Sequence, residues 1–276
     1  MKKFVVLDKS AGETPLRAIE IWKKQHPEYA KTPACYAGRL DPMASGKLLV
    51  LLGDACKRQR AYTNLDKEYE IEVLLDIGSD TGDALGVPEY VREETVVDER
   101  NLADLLRREL GAHLRAYPAF SSKTVNGKPL FLYALAGTLA SIKIPEHIER
   151  IYRIRHHDSQ HLSCAELESR VSKFLDRVPR TDEPSKRLGE DFRVDAIRAH
   201  WTALLKTAQG RNFTVLRLQV RCASGTYMRS LAGRIGESLG TKALALSIHR
   251  TKIGNYIPVW SGTGFWLRTY ASRTAK

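Results

Sequence analysis

Hydrophobic positions along the chain fall into short stretches with readable periods. Phe4–Leu7 is an apolar run of the length a buried strand takes, and Asp8-Lys9-Ser10-Ala11-Gly12 reads as the turn after it. Thr14-Pro15 supplies an N-cap and a proline at the first helical position. A helix is therefore predicted from about Leu16 to Lys24, with Ile19 and Trp22 on its apolar side. Lys47–Leu52 is a second continuous apolar strand. Glu68–Leu75 alternates, with Tyr69, Ile71 and Val73 on one face, and Gly78–Asp83 is rich in turn residues. Leu102, Leu105, Leu106 and Leu110 recur at helical spacing within Glu99–Leu110. Val194–Thr207 reads as a helix, Thr214–Cys222 as an alternating strand, and Tyr227–Leu239 as a helix closed by Gly240.

From Pro145 to about Gln209 the charges are dense and the patterns mixed, and Arg180–Lys186 reads as a flexible surface loop. Strands and helices alternate without a regular βαβ period. The expectation is an α+β fold, a mixed and mainly antiparallel central sheet with flanking helices. A single domain over residues 1–276 is expected.

Composition narrows the partners. Lys plus Arg is 44 and Asp plus Glu 32 in 276 residues, giving a formal charge of +12 and a pI near 9.6. Such a balance suits a polyanion, most simply nucleic acid, or a basic surface kept for solubility. At 43% hydrophobic and 28% charged, the chain can bury an ordinary core. Cys35, Cys56, Cys164 and Cys222 form no CxxC pair and no zinc-ligand spacing, which fits a reduced, cytoplasmic protein without a metal. No apolar stretch has the length of a signal peptide or membrane span, so no membrane role is expected. Walker, GxGxxG, HExxH and GxSxG patterns do not occur, so chemistry without a cofactor is sought.

Three segments invite attention. Tyr36–Gly46 (YAGRLDPMASG) holds a carboxylate, Asp41, in a Gly-rich connection that feeds a buried strand. Burial would make a nearby cation necessary, while the common use of such an aspartate is an Asx turn. Arg221–Arg229 (RCASGTYMR) runs from a strand end through a Ser-Gly-Thr turn into a helix. Arg229 there could meet a carboxylate or a phosphate, or stand on the surface. In Lys67-Glu68-Tyr69 a tyrosine enters a strand, usually as core with its hydroxyl bonded.

Taken in order, these segments resemble the TruB-type pseudouridine synthase family. YAGRLDPMASGKLLVLLGDACK is similar to GHTGxLDPxAxGxLxxxxGxAxK, and KEYEIEVLLDIGSDTGDALG to KxYxxxxxLGxxTDTxDxxG. PAFSSKTVNGKPLFLYALAG resembles PxxSAxKxxGxxxYxxAxxG, and VRCASGTYMRSLAGRIGESLG resembles VxCSxGTYIRxLxxDLGxxLG. Leu7-Asp8-Lys9 with Gly12 fits the family's LDKPxG start. The blocks cover roughly residues 4–140 and 214–254.

The resemblance implies the pseudouridine synthase fold and an isomerase that detaches uracil from its ribose, rotates it and rejoins it through carbon 5. It implies Asp41 as the catalytic carboxylate, adding covalently or assisting deprotonation of the sugar. Arg229 would pair with Asp41, and Tyr69 would stack on the flipped base and serve as candidate base for the carbon 5 proton. Tyr227 would line the pocket and Ile248 would pack against the base. Lys57, Lys67, Arg58 and Lys123 are candidate phosphate contacts. Tyr36 stands where the family has a base-displacing histidine, and Arg39 where a small residue is usual. Residues 158–209 form a segment longer than the family usually carries, read as an RNA-gripping insertion or decoration. The tail after Gly254 is too short for the PUA domain found in many members. The implied partner is the T-arm of tRNA, with position 55 as target, no guide RNA and a monomeric enzyme. Alternatives are a relative acting on another RNA and an inactive RNA-binding or tRNA-folding protein.

Overall fold

The computed structural model describes residues 2–179, 193–259 and 263–271. The loop expected at Arg180–Lys186 lies outside them. In chain order the elements are β1 (Phe4–Lys9), α1 (Pro15–Gln25), β2 (Ala34–Ala37), β3 (Ser45–Leu52), α2 (Gln59–Thr63), β4 (Asp66–Leu75), β5 (Ile77–Ser79), β6 (Pro88–Tyr90) and α3 (Glu99–Arg108). There follow β7 (Gly111–Ala116), β8 (Thr124–Val125), β9 (Lys128–Pro129), α4 (Leu130–Leu135), β10 (Glu146–Ser163) and α5 (Cys164–Leu175). The last are α6 (Val194–Thr207), β11 (Asn212–Cys222), α7 (Met228–Ser238), β12 (Ala243–Pro258) and β13 (Gly264–Thr269).

The main sheet has the strand order β1-β3-β12-β4-β11-β10-β7, with β2 added on β3 and β13 on β12. Every pairing is antiparallel except β3 with β12, which run parallel through two residue pairs, His249↔Ser45 and Arg250↔Gly46. The expected mixed, mainly antiparallel sheet with flanking helices is what forms.

Alternation along the central strands builds two cores. Tyr69, Ile71, Val73 and Leu75 of β4, with Leu216, Leu218 and Val220 of β11, face α1, α3 and α7. Helix α3 inserts Leu102, Leu105 and Leu106, and α7 inserts Leu231, Ala232 and Ile235. The neighbouring positions Leu74, Phe213, Val215 and Leu244 point to the opposite face. There α5 and α6 cover them with Leu167, Val171, Leu175, Ile197, Trp201 and Leu205. Trp201 is 2% exposed, and its indole donates to the Ala84 carbonyl at 3.1 Å. Residues 158–209 thus complete β10 and supply the two helices that close the second core.

Local signals account for most helix ends. The Thr14 hydroxyl accepts the Arg17 amide at 3.1 Å at the start of α1. Helix α5 opens with a capping box in which Ser163 and Glu166 satisfy each other's backbone amides. No helix of the described residues is long and apolar enough to cross a membrane.

Candidate active site

Asp41 lies in the connection from β2 to β3. Leu40, Met43 and Ala44 are each 2% exposed. They pin the loop on both sides, and the carboxylate is the part that turns outward, with about a third of its side chain open. The loop closes through its own backbone, as the Ala44 amide donates to the Asp41 carbonyl at 3.0 Å. The side chain does not cap that turn. Its Oδ2 accepts from Nε of Arg229 at 3.0 Å, a partner 188 residues away, and lies 2.9 Å from Nη2.

Arg229 is the second residue of α7 and is 5% exposed. Its remaining donors go to the Thr81 carbonyl at 2.6 Å and the Phe120 carbonyl at 3.1 Å, fixing the fork in place. A second carboxylate, Asp83, approaches Nε at 3.5 Å. The Asp83 carboxylate also accepts from the Thr81 hydroxyl and the Leu85 amide, each at 2.9 Å.

The two acids are driven apart by their surroundings. Burial pushes the Asp83 carboxyl up to about 6; Arg229 opposes this and the Asp41 charge adds to it. Burial would also raise Asp41, but Arg229, then Arg39 and Lys9, outweigh it and hold the carboxyl below its ordinary range. Arg39 Nε lies 3.8 Å from Asp41 Oδ1, so this arginine adds charge beside the carboxylate.

Buried cations hold the loop from beneath. Lys9 is 1% exposed and donates to the carbonyls of Ser10, Glu13 and Pro42 at 2.9, 2.7 and 3.3 Å. Burial lowers its pKa to about 8. Arg250 is fully buried and spreads its fork over the carbonyls of Lys47, Arg39 and Gly38 at 2.6, 3.2 and 3.2 Å. Gly46 has φ +98°, and a Cβ there would meet the Arg250 carbonyl oxygen at 2.4 Å, so glycine permits this approach. The Arg250 cation also acts on the Tyr69 phenol.

Tyr69 sits at the edge of the main core, 8% exposed. Burial raises its pKa and the Arg250 cation opposes the rise. Tyr227 occupies the N-cap position of α7, where its amide donates to Glu149 at 3.1 Å. Burial and then the Asp41 charge push its phenol up to about 12. Ile248 is 5% exposed and, with Met43, Ser45, Phe174 and Leu246, bounds a cavity of about 230 Å3 behind the loop.

The structure therefore brings Asp41, Arg229, Arg39, Tyr69 and Tyr227 together. One expected phosphate contact, Lys67, is corrected by its burial. Lys67 is 4% exposed, and its ammonium donates to the Thr63 carbonyl at 2.9 Å and to the Leu65 carbonyl. Desolvation and Arg250 lower its pKa to about 8, so it is a buried brace under Gly38 and not a surface cation. Lys57 is exposed on the 3-10 turn Gly53–Arg58 and pairs with Asp54 at 2.7 Å, outside the cluster. Tyr36 packs on the main core from β2, its carbonyl accepting from Gln59 at 2.8 Å. Among the described residues, no hydrogen bond, ion pair or ring contact ties Tyr36 to Asp41. Asp83, Lys9 and Arg250 were not singled out in the sequence. Asp83 was visible as the second acid of the turn-rich Gly78–Asp83 segment, whereas nothing local marks Arg250 as buried.

Comparison with known proteins identifies the family. The profile described as TruB family pseudouridylate synthase (N terminal domain) matches residues 27–173, more than half of the chain. The tRNA pseudouridine synthase B of Azoarcus sp. (strain BH72) is 30% identical over 254 residues, covering 91% of this chain and 65% of that protein. That of Bordetella avium (strain 197N) is 29% identical, covering 91% and 81%. That of Psychrobacter arcticus is 27% identical and is covered over 53% of its length. The chain thus spans between half and two thirds of the first relatives it matches. Among solved structures, a Cbf5-Nop10-Gar1 complex superposes with a TM-score of 0.52 at 19% identity, covering 91% of this chain and 48% of that one, a likeness of fold. The chain belongs to the TruB family of pseudouridylate synthases.

Proposed function

We propose that this chain isomerises uridine to pseudouridine in tRNA, acting on position 55 of the T-loop. The observation that carries the reading is the two-donor grip of Arg229 on Asp41, which keeps a partly open carboxylate ionised and aimed. Cleaving a glycosidic bond develops positive charge on the sugar, and an ionised carboxylate beside it stabilises that charge. Asp41 acts either by adding to the sugar carbon or by assisting deprotonation of the sugar, and Arg229 holds it for both. The target base leaves its stack at a cost of a few kcal/mol, because its reacting atoms are otherwise shielded.

Tyr69 stacks on the flipped uracil. Its phenol is protonated at neutral pH, given the direction in which burial shifts it. Taking the carbon 5 proton requires a phenolate, and the Arg250 cation, which opposes the rise in the Tyr69 pKa, is the group that would favour that charge. Ile248 packs against the base, Tyr227 lines the pocket, and Arg39 and Lys123 meet phosphates. We read the enzyme as a cytoplasmic monomer that recognises the T-arm without a guide RNA and without a cofactor.

The test is a pseudouridine map of tRNA from cells with and without this protein, repeated with Asp41→Asn. The T-loop signal should vanish in both the deletion and the variant, with kcat reduced more than about a thousandfold. A variant that keeps full turnover overturns the role of Asp41. Loss at other uridines relocates the substrate and leaves the chemistry standing.

A further inference from the structure

Beside the Asp41–Arg229 pair stands an aromatic cluster, two of whose members, Tyr117 and His147, have no part in the reaction as described. The rings of Tyr117 and His147 stack with centroids 4.0 Å apart and planes 21° from parallel. Tyr227 meets both edge-on, at 6.2 Å from Tyr117 and 5.7 Å from His147. The Lys123 ammonium lies over the Tyr117 ring, 5.1 Å from its centroid. Neither Tyr117 nor Tyr227 is among the residues of the three apolar cores or those packed against them. They form a separate wall on the molecule.

Its distance from the catalyst is fixed by the chain. Tyr227 feels the Asp41 charge directly. Tyr117 is followed by Pro118 and Ala119, and the carbonyl of the next residue, Phe120, accepts from Arg229. Three residues reach at most about 11 Å, which keeps the Tyr117 backbone close to the pair. The wall is also held rigid. His147 is bonded at Nε2 to the Gly225 carbonyl at 3.0 Å and lies 3.5 Å from the buried Glu149, which in turn meets the Tyr227 amide and Arg234.

Stacked rings beside a mobile cation are the chemistry by which proteins hold unpaired bases: the ring takes the base and the cation takes the phosphate. We propose that Tyr117, backed by His147 and Tyr227, is a stacking site for one unpaired nucleobase adjoining the flipped uridine, with Lys123 displaced onto its phosphate. This rests on the reading of the chain as an RNA-modifying enzyme and adds a second anchoring point to it. A base flipped out alone can swing about its backbone. One whose neighbour is also held is delivered to Asp41 in a fixed orientation.

Binding of a fluorescent hairpin RNA carrying the T-arm loop, read by anisotropy with the full chain, tests the site. Abasic residues replace the nucleotides flanking the target uridine one at a time. Tyr117→Ala should weaken binding of the intact hairpin about 5- to 150-fold. One abasic position should weaken wild-type binding by a similar factor, and the two losses should not add, because each removes the same stack. Tyr117→Phe should restore affinity, since the ring and not the hydroxyl does the holding. Additive losses at every position, unchanged affinity of Tyr117→Ala, or equal losses in the Phe and Ala variants would each overturn the site. Turnover of the hairpin by the wild type is read separately. Its failure would count against the T-loop substrate, while the binding cycle still decides the stacking site.

Discussion

Arg229 shows how one side chain sets the behaviour of two acids. Removing it in Arg229→Ala takes away the main charge that holds Asp41 down. The acid limb of the pH–rate profile should then move upward in pH, and kcat should fall far more than affinity at low salt. Equal losses in kcat and affinity would recast Arg229 as a phosphate anchor. Asp83 carries the opposite sign to Asp41. Its folded pKa is raised from 3.8 to about 6, so the stability it lends is fully present below about 3.8 and is lost as pH rises through 6. Asp41, held low, lends stability above the ordinary carboxylate range that is lost as pH falls through its folded value. Asp83→Asn should therefore flatten the stability profile between pH 4 and 6, as measured by urea unfolding at several pH values. A profile that keeps its slope there would show that Asp83 does not titrate as described. Arg250 is a third residue-level case. Arg250→Met would leave three part-buried carbonyls without this donor, at a cost of up to roughly 1–3 kcal/mol each, and Arg250→Lys should recover only part of that because an ammonium lacks the planar fork. Denaturant midpoints of the two variants measure the difference.

At the level of elements, the helix pair α5 and α6 is part of the folding core. Trp201→Ala should cost about 3–5 kcal/mol in urea unfolding and leave affinity for RNA nearly unchanged. A large affinity loss with intact stability would return the pair to a role in gripping RNA. The elements also show what the sequence could convey. β1, β3, β4, β11, α1, α3, α6 and α7 were legible within a few residues, since each repeats apolar positions at its own period and most carry a cap or a stop. β10 and β12 were not. Of the 18 residues of β10 only Glu149, Ile151 and Leu162 are buried, because one stretch pairs with the edge strand β7 and the rest shows charged side chains outward. Its strand character comes from register with β11 and not from its own alternation. β12 loses its alternation at two bulges, between Ala245 and Ser247 and between Arg250 and Lys252. The site was legible for Asp41, Tyr69, Tyr227 and Arg229 because they sit in recognisable segments. Lys67 misled because a lysine before a strand looks solvated until the loop above it is known to bury it. Tyr117 and His147 were silent because two rings 30 residues apart carry no local mark of stacking.

For the whole molecule, a charge of +12 implies that binding of an RNA releases many counterions. Affinity for tRNA should fall roughly a thousandfold or more between about 50 and 200 mM salt if six or more phosphates are neutralised. A salt-insensitive complex would show that the basic surface serves solubility instead. The sheet adds a constraint of its own. Two residue pairs join β3 to β12, so β1, β2, β3 and the Asp41 loop form one leaf, and the strands from β12 to β7 with Arg229 and Tyr69 form the other. The Asp41–Arg229 pair and the Arg250 fork act as clasps across that fold line. Parting the leaves there breaks fewer ladder pairs than parting β4 from β11, and it would draw Asp41 away from Arg229. Amides around Ser45–Lys47 and His249–Arg250 should then exchange with solvent sooner than those of β4 and β11, which makes the Asp41–Arg229 pair a latch on the hinge of its own sheet.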